Sequence, residues 1–418
     1  MKQTVQLGAL SAANIGISFL FNWHVLTQLG AGMETDALFA GMTVPQLVTA
    51  VISGTLMQVL VPILAVKDAT RIQLEAWNLL FLVGGLFGVV CILFWLSAPW
   101  WIPLIVPGFD EAGKALTVEL TRIQLIGMVF VAINGVQWAA CHARQQYLWA
   151  ELASISANAF ALLLLILALP RFGVIVVACI SALRMVVQTL LLAPSMGKLV
   201  AWPNLRSAVI SIAWQRIKFL LVGTTYYMTD PVVDRFLLST TSSGTLSLYY
   251  FVQQIYGAVS ELINKSIAIP LIPVLSKLRE EKNRDILLHT YNQKLWQVAV
   301  LSLLGLLIIV VLGQDLLSIF VRYGRLSSQN LELLWFAMVL MLGRFVFGNI
   351  GMIMTSMLYS LGDTKKLTEN GVLAYTFGMA IKIILFYFFG ILGLALGVTI
   401  HYMIHMILMW NNTREKYL

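Results

Sequence analysis

Charged residues are scarce in this sequence, because Asp, Glu, Lys and Arg together make up only 11% of its 418 residues. A soluble protein carries about a quarter of its residues as charged side chains. Hydrophobic residues reach 59%, and the mean hydropathy is +0.86. This composition excludes an ordinary soluble globular protein and indicates a polytopic membrane protein.

Cysteine is also rare, and residues that signal catalysis are missing. Cys91, Cys141 and Cys179 lie in apolar stretches, and their odd number and scattered spacing fit neither a disulfide framework nor a metal site. We expect them to be small core residues. The sequence has no D-x-D motif, no His–Asp cluster and no large outer loop, so we expect no catalytic residues, no metal and no cofactor.

Apolar runs of about 20 residues can each cross a bilayer, and this sequence contains about twelve of them. The predicted fold is therefore an all-α polytopic membrane protein with about twelve transmembrane helices. The predicted spans are 6–29, 36–66, 74–98, 117–141, 147–169, 173–194, 214–239, 245–275, 292–313, 329–361, 368–389 and 391–410.

A weak internal repeat divides these spans into two sets. The second and eighth spans each end in a proline-containing segment followed by a basic loop, VPILAVKDATR (61–71) with one proline and IPLIPVLSKLR (269–279) with two. The repeat predicts two six-helix halves, residues 1–200 with spans one to six and residues 201–418 with spans seven to twelve. Repeats of this kind usually place the substrate site between the halves near the middle of the membrane, which predicts a central cavity.

The formal net charge of +8 would suggest a nucleic-acid partner in a soluble chain, but here its distribution over the loops explains it. Basic residues concentrate in alternate loops, and by the positive-inside rule both termini are predicted to be cytoplasmic. The predicted inner loops carry Lys67, Arg71, Arg144, Lys198, Arg206, Arg216, Lys218, Lys277, Arg279, Lys282, Arg284, Lys365, Lys366, Arg414 and Lys416, and the outer loops mainly carry Lys114, Arg171, Arg322 and Arg325.

The second span has an acid at its start and a proline inside. Pro45 removes a backbone donor and clashes with the preceding turn, so the helix is predicted to bend or break there. A broken helix at membrane depth is tolerated only where its free carbonyls face protein or a wet cavity. Asp36 and Pro45 are therefore candidate functional positions, and a kinked helix with a purely structural role is the alternative.

Ionisable groups inside the predicted spans are the best site candidates, because a charge at the bilayer centre costs at least about 2.5 kcal/mol. Span seven carries Asp230, Asp234 and Arg235. Asp230 and Asp234 share one helical face, with Pro231 between them able to kink the helix.

Four further intramembrane charges lie in later spans. Glu261 and Lys265 in span eight form an i,i+4 acid–base pair, which is either structural or a substrate contact. Arg344 in span ten and Lys382 in span eleven have no obvious sequence-local partner, so an anionic substrate group or a carboxylate on another helix should meet them. Arg184 in span six is similar.

The segment GAGMETDALF with GTLMQVLVPILA (30–65) resembles the second transmembrane helix of the lipid II flippase family, the MurJ/MviN proteins. The outer loop APWWIPLIVPGF (98–109) and segments 249–278, 315–330 and 357–366 are similar to further segments of that family. The resemblance implies the fold of the wider exporter superfamily of multidrug, oligosaccharidyl-lipid and polysaccharide (MOP) transporters.

The resemblance also assigns site positions. The family has fourteen spans, against about twelve predicted here, and lines its cavity with arginines of helices one, two and eight, which would clamp a pyrophosphate. The acid at Asp36 is kept, and the arginine positions correspond here to Ile15, Phe21, Thr49 and Gln253 or Gln254. We hypothesise that cations on other helices take the place of these arginines, namely Arg235, Lys265, Arg344 and Lys382.

The function implied by the resemblance is a flippase in the bacterial cytoplasmic membrane. Its cargo would be an undecaprenyl-pyrophosphate-linked saccharide, either lipid II or a surface-polysaccharide repeat unit, moved by alternating access. The candidate energy sources are the membrane potential or a coupling cation carried by Asp36, Asp230 or Asp234. Membrane lipids are expected partners of a monomer, and polysaccharide-assembly proteins are further candidates.

Two other functions stay open from the sequence. A cation-coupled multidrug exporter of the same superfamily is the first alternative. The basic residues in the spans and the outer loop that ends in P-G-F (98–109, the P-G-F loop) favour the flippase. A membrane-embedded enzyme of lipid-linked sugar metabolism is less favoured, because the sequence lacks convergent acids, bases or metal ligands near an interface.

Overall fold

A computed structural model describes residues 2–65, 68–200, 202–204, 207, 209–215, 226–227, 229–281, 283–321, 328–361 and 364–417. Within these residues the chain is helical and contains no strand. The main helices are α1 (Lys2–Leu29), α2 (Met33–Gly41), α3 (Thr43–Ala65), α4 (Ala69–Ile105), α5 (Glu111–Ala143), α6 (Tyr147–Leu192), α7 (Asp230–Ser239), α8 (Thr245–Ile263), α9 (Ile269–Glu280), α10 (Arg284–Val321), α11 (Ser328–Leu361) and α12 (Thr364–Tyr417).

Among the described residues, eight helical segments are long and apolar enough to cross a membrane. Two of them, in α6 and α12, are about twice the length that one crossing needs. Each of these long helices turns at a glycine with non-helical backbone, Gly173 (φ 64°, ψ −153°) and Gly390 (φ 58°, ψ −138°). A positive φ suits glycine because it has no Cβ. The predicted spans 147–169 and 173–194, and 368–389 and 391–410, therefore meet at these two glycine corners.

The predicted bend in the second span coincides with an interruption of the helix. The chain ends α2 at Gly41, passes through Met42 and begins α3 at Thr43. Pro45 falls in the first turn of α3, where its missing N–H leaves no intrahelical hydrogen bond unmade. The short α2 is buried, and its Gly41 lies so close to Thr121 of α5 that a Cβ there would sit 2.9 Å from the Thr121 hydroxyl.

The chain divides into two compact units, Met1–Ser247 and Leu248–Leu418. In the first unit α5 packs against α2, α3, α4 and α6, α1 packs along α6, and α7 lies against α3 and α4. In the second unit α11 packs against α9, α10 and α12. A boundary between the halves at residues 200 and 201 stays a prediction.

The expectation that all three cysteines are core residues is wrong for one of them. Cys91 and Cys141 are buried, but Cys179 is exposed. Its position on α6 faces away from the rest of the unit. In a membrane protein, lipid accepts a small apolar side chain as readily as the protein interior does, so apolar surroundings in sequence do not predict burial.

Several residues named from the sequence lie outside the described part of the chain. These are the loop residues Lys67, Arg206, Arg216, Lys218, Lys282, Arg322 and Arg325, and residues 216–225 and 228 of the predicted seventh span. The orientation of the termini stays a prediction.

Candidate functional site

The side chain of Asp36 ties the start of α2 to the start of α8. One carboxylate oxygen, Oδ2, accepts a hydrogen bond of 2.6 Å from the backbone N–H of Gly244, and Oδ1 accepts one of 2.8 Å from the N–H of Ser247. The residue is only 2% exposed. We call this arrangement of Thr35, Asp36, Gly244 and Ser247 the Asp36 latch.

The local sequence on both sides shapes the latch. The hydroxyl of Thr35 lies within hydrogen-bonding distance of the carbonyl oxygens of Gly30 and Gly32 and 3.3 Å from the Ser247 hydroxyl. This fixes the turn from which Asp36 projects. On the other side Gly244 has φ +92°, and a Cβ there would lie 2.7 Å from the carbonyl oxygen of Ala31. Only glycine suits this position, both for its backbone conformation and for the space available.

The chemistry of the latch is that of an anion at a helix N-terminus. The first backbone N–H groups of a helix have no intrahelical partner and carry partial positive charge, which favours a carboxylate. Asp36 was named from the sequence, but Gly244 and Ser247 were not. The signal that could have found them is S-S-G-T (242–245) immediately before an apolar helix, a composition typical of a helix start.

The P-G-F loop packs beside the latch at the same end of the first unit. The backbone N–H of Gly108 donates a hydrogen bond of 3.3 Å to the hydroxyl of Ser239 at the end of α7. A Cβ on Gly108 would overlap the backbone of Ser239, so the two segments are in direct contact. Asp110 then begins α5 by accepting a hydrogen bond of 2.8 Å from the N–H of Gly113. The segments 30–36, 106–113 and 239–247 thus form one loop cluster.

The predicted charges of span seven lie on α7. Asp234 and Arg235 are buried, with 0% and 3% of their surfaces exposed. Asp230 and Pro231 occupy the first turn of the helix and are half-buried. A guanidinium nitrogen of Arg235, Nη1, donates to the carbonyl oxygen of Pro231 at 3.4 Å.

The predicted acid–base pair of span eight is confirmed. The ammonium of Lys265 lies 2.9 Å from a carboxylate oxygen of Glu261, and both side chains are more than a third exposed. A π-helical turn, Asn264–Ala268, begins directly after α8 and contains Lys265. Gln253 and Gln254 lie half-buried further back on α8.

Two more predicted cations lie in α11 and α12. The guanidinium carbon of Arg344 is 5.6 Å from the ring centroid of Tyr402, which is cation–π distance. Lys382 is only 1% exposed. It lies on one arm of the hairpin that turns at Gly390, and a Cβ on Gly397 of the other arm would be 2.8 Å from its Cα. The missing side chain at Gly397 therefore makes room for Lys382.

The site candidates divide between the two units. The first unit contains Asp36, Thr49 (half-buried on α3), Asp230, Asp234, Arg235 and the two prolines, Pro45 and Pro231. The second unit contains Gln253, Gln254, Glu261, Lys265, Arg344 and Lys382. Within the first unit, α7 and its charges pack against α3, which carries Thr49 and Pro45. Whether any of these residues contacts substrate stays a prediction.

The family model and the curated relatives agree on one family. The model of the family described as lipid II flippase MurJ matches residues 25–417. A curated relative, the probable lipid II flippase MurJ of Vibrio cholerae, is 20% identical, and the match covers 98% of this chain and 82% of that protein.

Solved structures with similar folds come from the same superfamily. The lipid II flippase MurJ in an inward closed conformation matches with a TM-score of 0.83 at 16% identity, covering 98% of this chain and 87% of that one. An inward-facing MATE family multidrug resistance transporter of the MOP superfamily matches with a TM-score of 0.80 at 17% identity, covering 96% and 94%. The predicted all-α, twelve-helix MOP fold is confirmed.

Proposed function

The chain belongs to the lipid II flippase MurJ family, a family of transporters and not of enzymes, and on that premise we propose that it flips an undecaprenyl-pyrophosphate-linked saccharide. Lipid II is the first candidate for the cargo. The movement would cross the bacterial cytoplasmic membrane by alternating access, with both termini in the cytoplasm. The observation that carries the proposal is the family match over residues 25–417, nearly the whole chain.

The charges at membrane depth suit such a cargo. A pyrophosphate head carries two negative charges, and cations inside a membrane protein mark the path of an anion. Arg235 and Lys382 are both almost fully buried. The family carries arginines at the positions that correspond by resemblance to Thr49 and to Gln253 or Gln254. Here these residues would instead offer hydroxyl and amide groups to sugar hydroxyls.

The Asp36 latch would act as a gate on the outer side. Each of its two charge-assisted hydrogen bonds contributes about 1.5–3 kcal/mol net, an amount that still lets the latch break and reform during a transport cycle. Its end of the first unit also carries the P-G-F loop, which the distribution of basic residues assigns to the outer face.

The energy source would be the membrane potential or a coupled proton or cation. Asp36, Asp230 and Asp234 are our candidate carriers of that proton or cation. The working form would be a monomer surrounded by membrane lipids, with polysaccharide-assembly proteins as further candidate partners.

Native mass spectrometry of the protein purified from its own membranes tests the proposal. Co-purified lipid II supports it as stated. Co-purification of another prenyl-pyrophosphate oligosaccharide would identify the cargo as a surface-polysaccharide repeat unit. The neutral residues Thr49, Gln253 and Gln254 favour that cargo. Absence of any such lipid, together with bound organic cations, contradicts the proposal and favours a multidrug exporter.

A further inference from the structure

Pro99 lies inside α4 and leaves one backbone carbonyl of that helix without its usual donor. In an α-helix the N–H of each residue donates to the carbonyl oxygen four residues earlier, and proline has no N–H. The carbonyl of Trp95 therefore lacks its intrahelical hydrogen bond. Inside a membrane such a group needs a donor from elsewhere in the protein, because the bilayer core contains no water.

Arg122 of α5 supplies that donor. Its Nε donates a hydrogen bond of 3.1 Å to the Trp95 carbonyl oxygen, and its guanidinium carbon lies 4.5 Å from the centroid of the Trp95 ring. These two contacts hold the guanidinium at the seam between α4 and α5. The residue is half-buried, so its guanidinium is not enclosed by the protein.

The hydrogen bond to Trp95 uses only a small part of what the guanidinium can donate. Arginine has five N–H groups, and the bond to Trp95 takes the one on Nε. In the described part of the chain this guanidinium makes no other hydrogen bond and no ion pair. Glu119 lies exposed one turn earlier on α5 and is not paired with it. The N–H groups on Nη1 and Nη2 are thus available to a ligand, together with the positive charge.

The surface around this guanidinium is apolar and faces lipid. Ile92 and Leu96 on α4 and Ile126 on α5 are exposed over 59%, 57% and 49% of their surfaces. Both helices belong to segments that are long and apolar enough to cross a membrane. A charged group on such a surface is costly unless polar groups of the membrane interface meet it.

The position of Arg122 along α5 brings that interface within reach. The residue comes eleven positions after Glu111, where α5 begins, or about 16 Å along the helix axis. The 33 residues of α5 span about 50 Å, so a helix centred on a hydrocarbon core of about 30 Å extends about 10 Å beyond each side. The backbone of Arg122 then lies about 6 Å below the boundary of the core.

The direction of the side chain reduces this depth further. Side chains on a helix lean towards its N-terminus, and the distribution of basic residues assigns the N-terminal end of α5 to the outer face. Arginine can lay its methylene stem along apolar surface while its charged head reaches the interface. The guanidinium of Arg122 is therefore placed at the level of the outer lipid headgroups.

We propose that Arg122, held on Trp95, binds the phosphate of a phospholipid in the outer leaflet. A guanidinium donates two parallel N–H groups to phosphate oxygens, which suits the donors on Nη1 and Nη2. Trp95 contributes an amphipathic ring, and tryptophan is enriched at this level of a membrane. The inference goes beyond the proposed function and does not rest on it, because the ligand is a lipid of the surrounding bilayer and not the cargo.

The test measures lipid binding to the purified full-length protein by native mass spectrometry. The probes are phosphatidylglycerol and diacylglycerol with the same acyl chains, and the quantity compared is the ratio of their affinities for the first bound lipid. We expect the wild-type protein to prefer phosphatidylglycerol, and Arg122→Gln to lower that preference about five-fold or more. Arg122→Lys should retain part of it, since the charge stays but the planar fork is lost.

Arg171→Gln is the matched control. Arg171 is an exposed arginine beside the Gly173 corner, in a loop that is also predicted to be on the outer face. Its replacement removes the same charge from the same side of the protein without touching Trp95. The preference for phosphatidylglycerol should therefore stay at the wild-type value.

A proline variant separates lipid binding from a structural role of Arg122. Pro99→Ala returns an N–H that can donate to the Trp95 carbonyl oxygen, so the loss of Arg122 no longer leaves this carbonyl without a donor. A phosphate ligand predicts that Arg122→Gln lowers the preference in the Pro99→Ala background as well. A purely structural role predicts no effect of Arg122→Gln there.

Four results would overturn the proposal. They are a folded Arg122→Gln protein with the wild-type preference, an equal fall in Arg171→Gln, no effect of Arg122→Gln in the Pro99→Ala background, and a wild-type protein without a preference for phosphatidylglycerol. Each of them leaves the proposed flipping of a prenyl-linked saccharide untouched, because no cargo is present in the assay.

Discussion

The carboxylate of Asp36 accepts a 2.6 Å hydrogen bond from the backbone N–H of Gly244, a residue 208 positions further along the chain. A second bond, from the N–H of Ser247, completes the contact. Among the hydrogen bonds of the described residues, few join segments so distant in sequence. The latch is therefore a sensitive place to test both the stability of the unit and the proposed gate.

Replacement of the latch carboxylate should destabilise the protein. In Asp36→Asn one acceptor oxygen becomes an NH₂ group that faces a backbone N–H, so one buried donor loses its partner at a cost of about 1–3 kcal/mol. We expect a lower midpoint of thermal unfolding in detergent. Glu34→Gln, at an exposed position two residues earlier, is the control and should leave the midpoint unchanged. Equal midpoints for the two variants would argue against the latch.

Two glycine substitutions should have opposite effects. Gly244→Ala forces a Cβ against the Ala31 carbonyl oxygen in a left-handed backbone conformation, which costs about 1–2 kcal/mol for the conformation alone. Gly257→Ala adds a Cβ within α8, where no described atom outside the adjacent helical backbone lies within 4 Å, and alanine favours a helix over glycine by about 1 kcal/mol. Unfolding midpoints should therefore fall for Gly244→Ala and rise slightly for Gly257→Ala. A fall of similar size in both would show that the substitution, and not the position, matters.

Exchange of the charges in the Glu261–Lys265 pair separates its two interpretations. Glu261→Lys combined with Lys265→Glu keeps an i,i+4 pair on an exposed helix face, and such pairs are worth only about 0.2–0.5 kcal/mol. A structural pair predicts unchanged stability and unchanged transport, which is the outcome we expect from its exposure. The other outcome is a lower transport rate in the exchanged variant together with a normal rate in Glu261→Gln. That result would instead show that Lys265 contacts the substrate.

The buried ammonium of Lys382 should be needed for transport. Lys382→Met keeps the length of the side chain and removes the charge, and we expect transport to fall at least ten-fold if the lysine meets an anionic group of the cargo. Lys294→Met, near the start of α10, is the control and should transport normally. Both variants need the wild-type elution volume in detergent. Normal transport by Lys382→Met would remove this lysine from the site.

The sequence predicted the helices well because the hydropathy of a span and the backbone freedom of a glycine at a helix corner are both properties of the local sequence. The spans on either side of Gly173 and Gly390 could be separated, since an apolar run long enough for two crossings must turn. The pairing of Glu261 with Lys265 also follows from helix geometry alone. Partners across the fold could not be predicted in this way. Nothing near Asp36 in sequence points to Gly244, and the place of Arg184 over Phe21 depends on how α6 packs on α1.

Exposure was the other property that local sequence could not give. Cys179 and Cys141 both lie in apolar runs, yet one is exposed and the other buried. Lys382 is buried, and the close approach of Gly397 on the opposite arm of its hairpin is possible because glycine has no side chain. The burial of a side chain depends on which segments pack together, and the sequence of one segment does not specify its packing partner.

Movement of lipid II across a membrane by the purified protein tests the central claim most directly. Proteoliposomes would carry a fluorescent lipid II in both leaflets, and an impermeant reductant added outside would bleach the outer leaflet. The account predicts nearly complete bleaching with the wild-type protein, bleaching of about half with empty vesicles, and slow bleaching with Lys382→Met. Wild-type vesicles that bleach only as far as empty ones, over a range of membrane potentials and pH gradients, would contradict it.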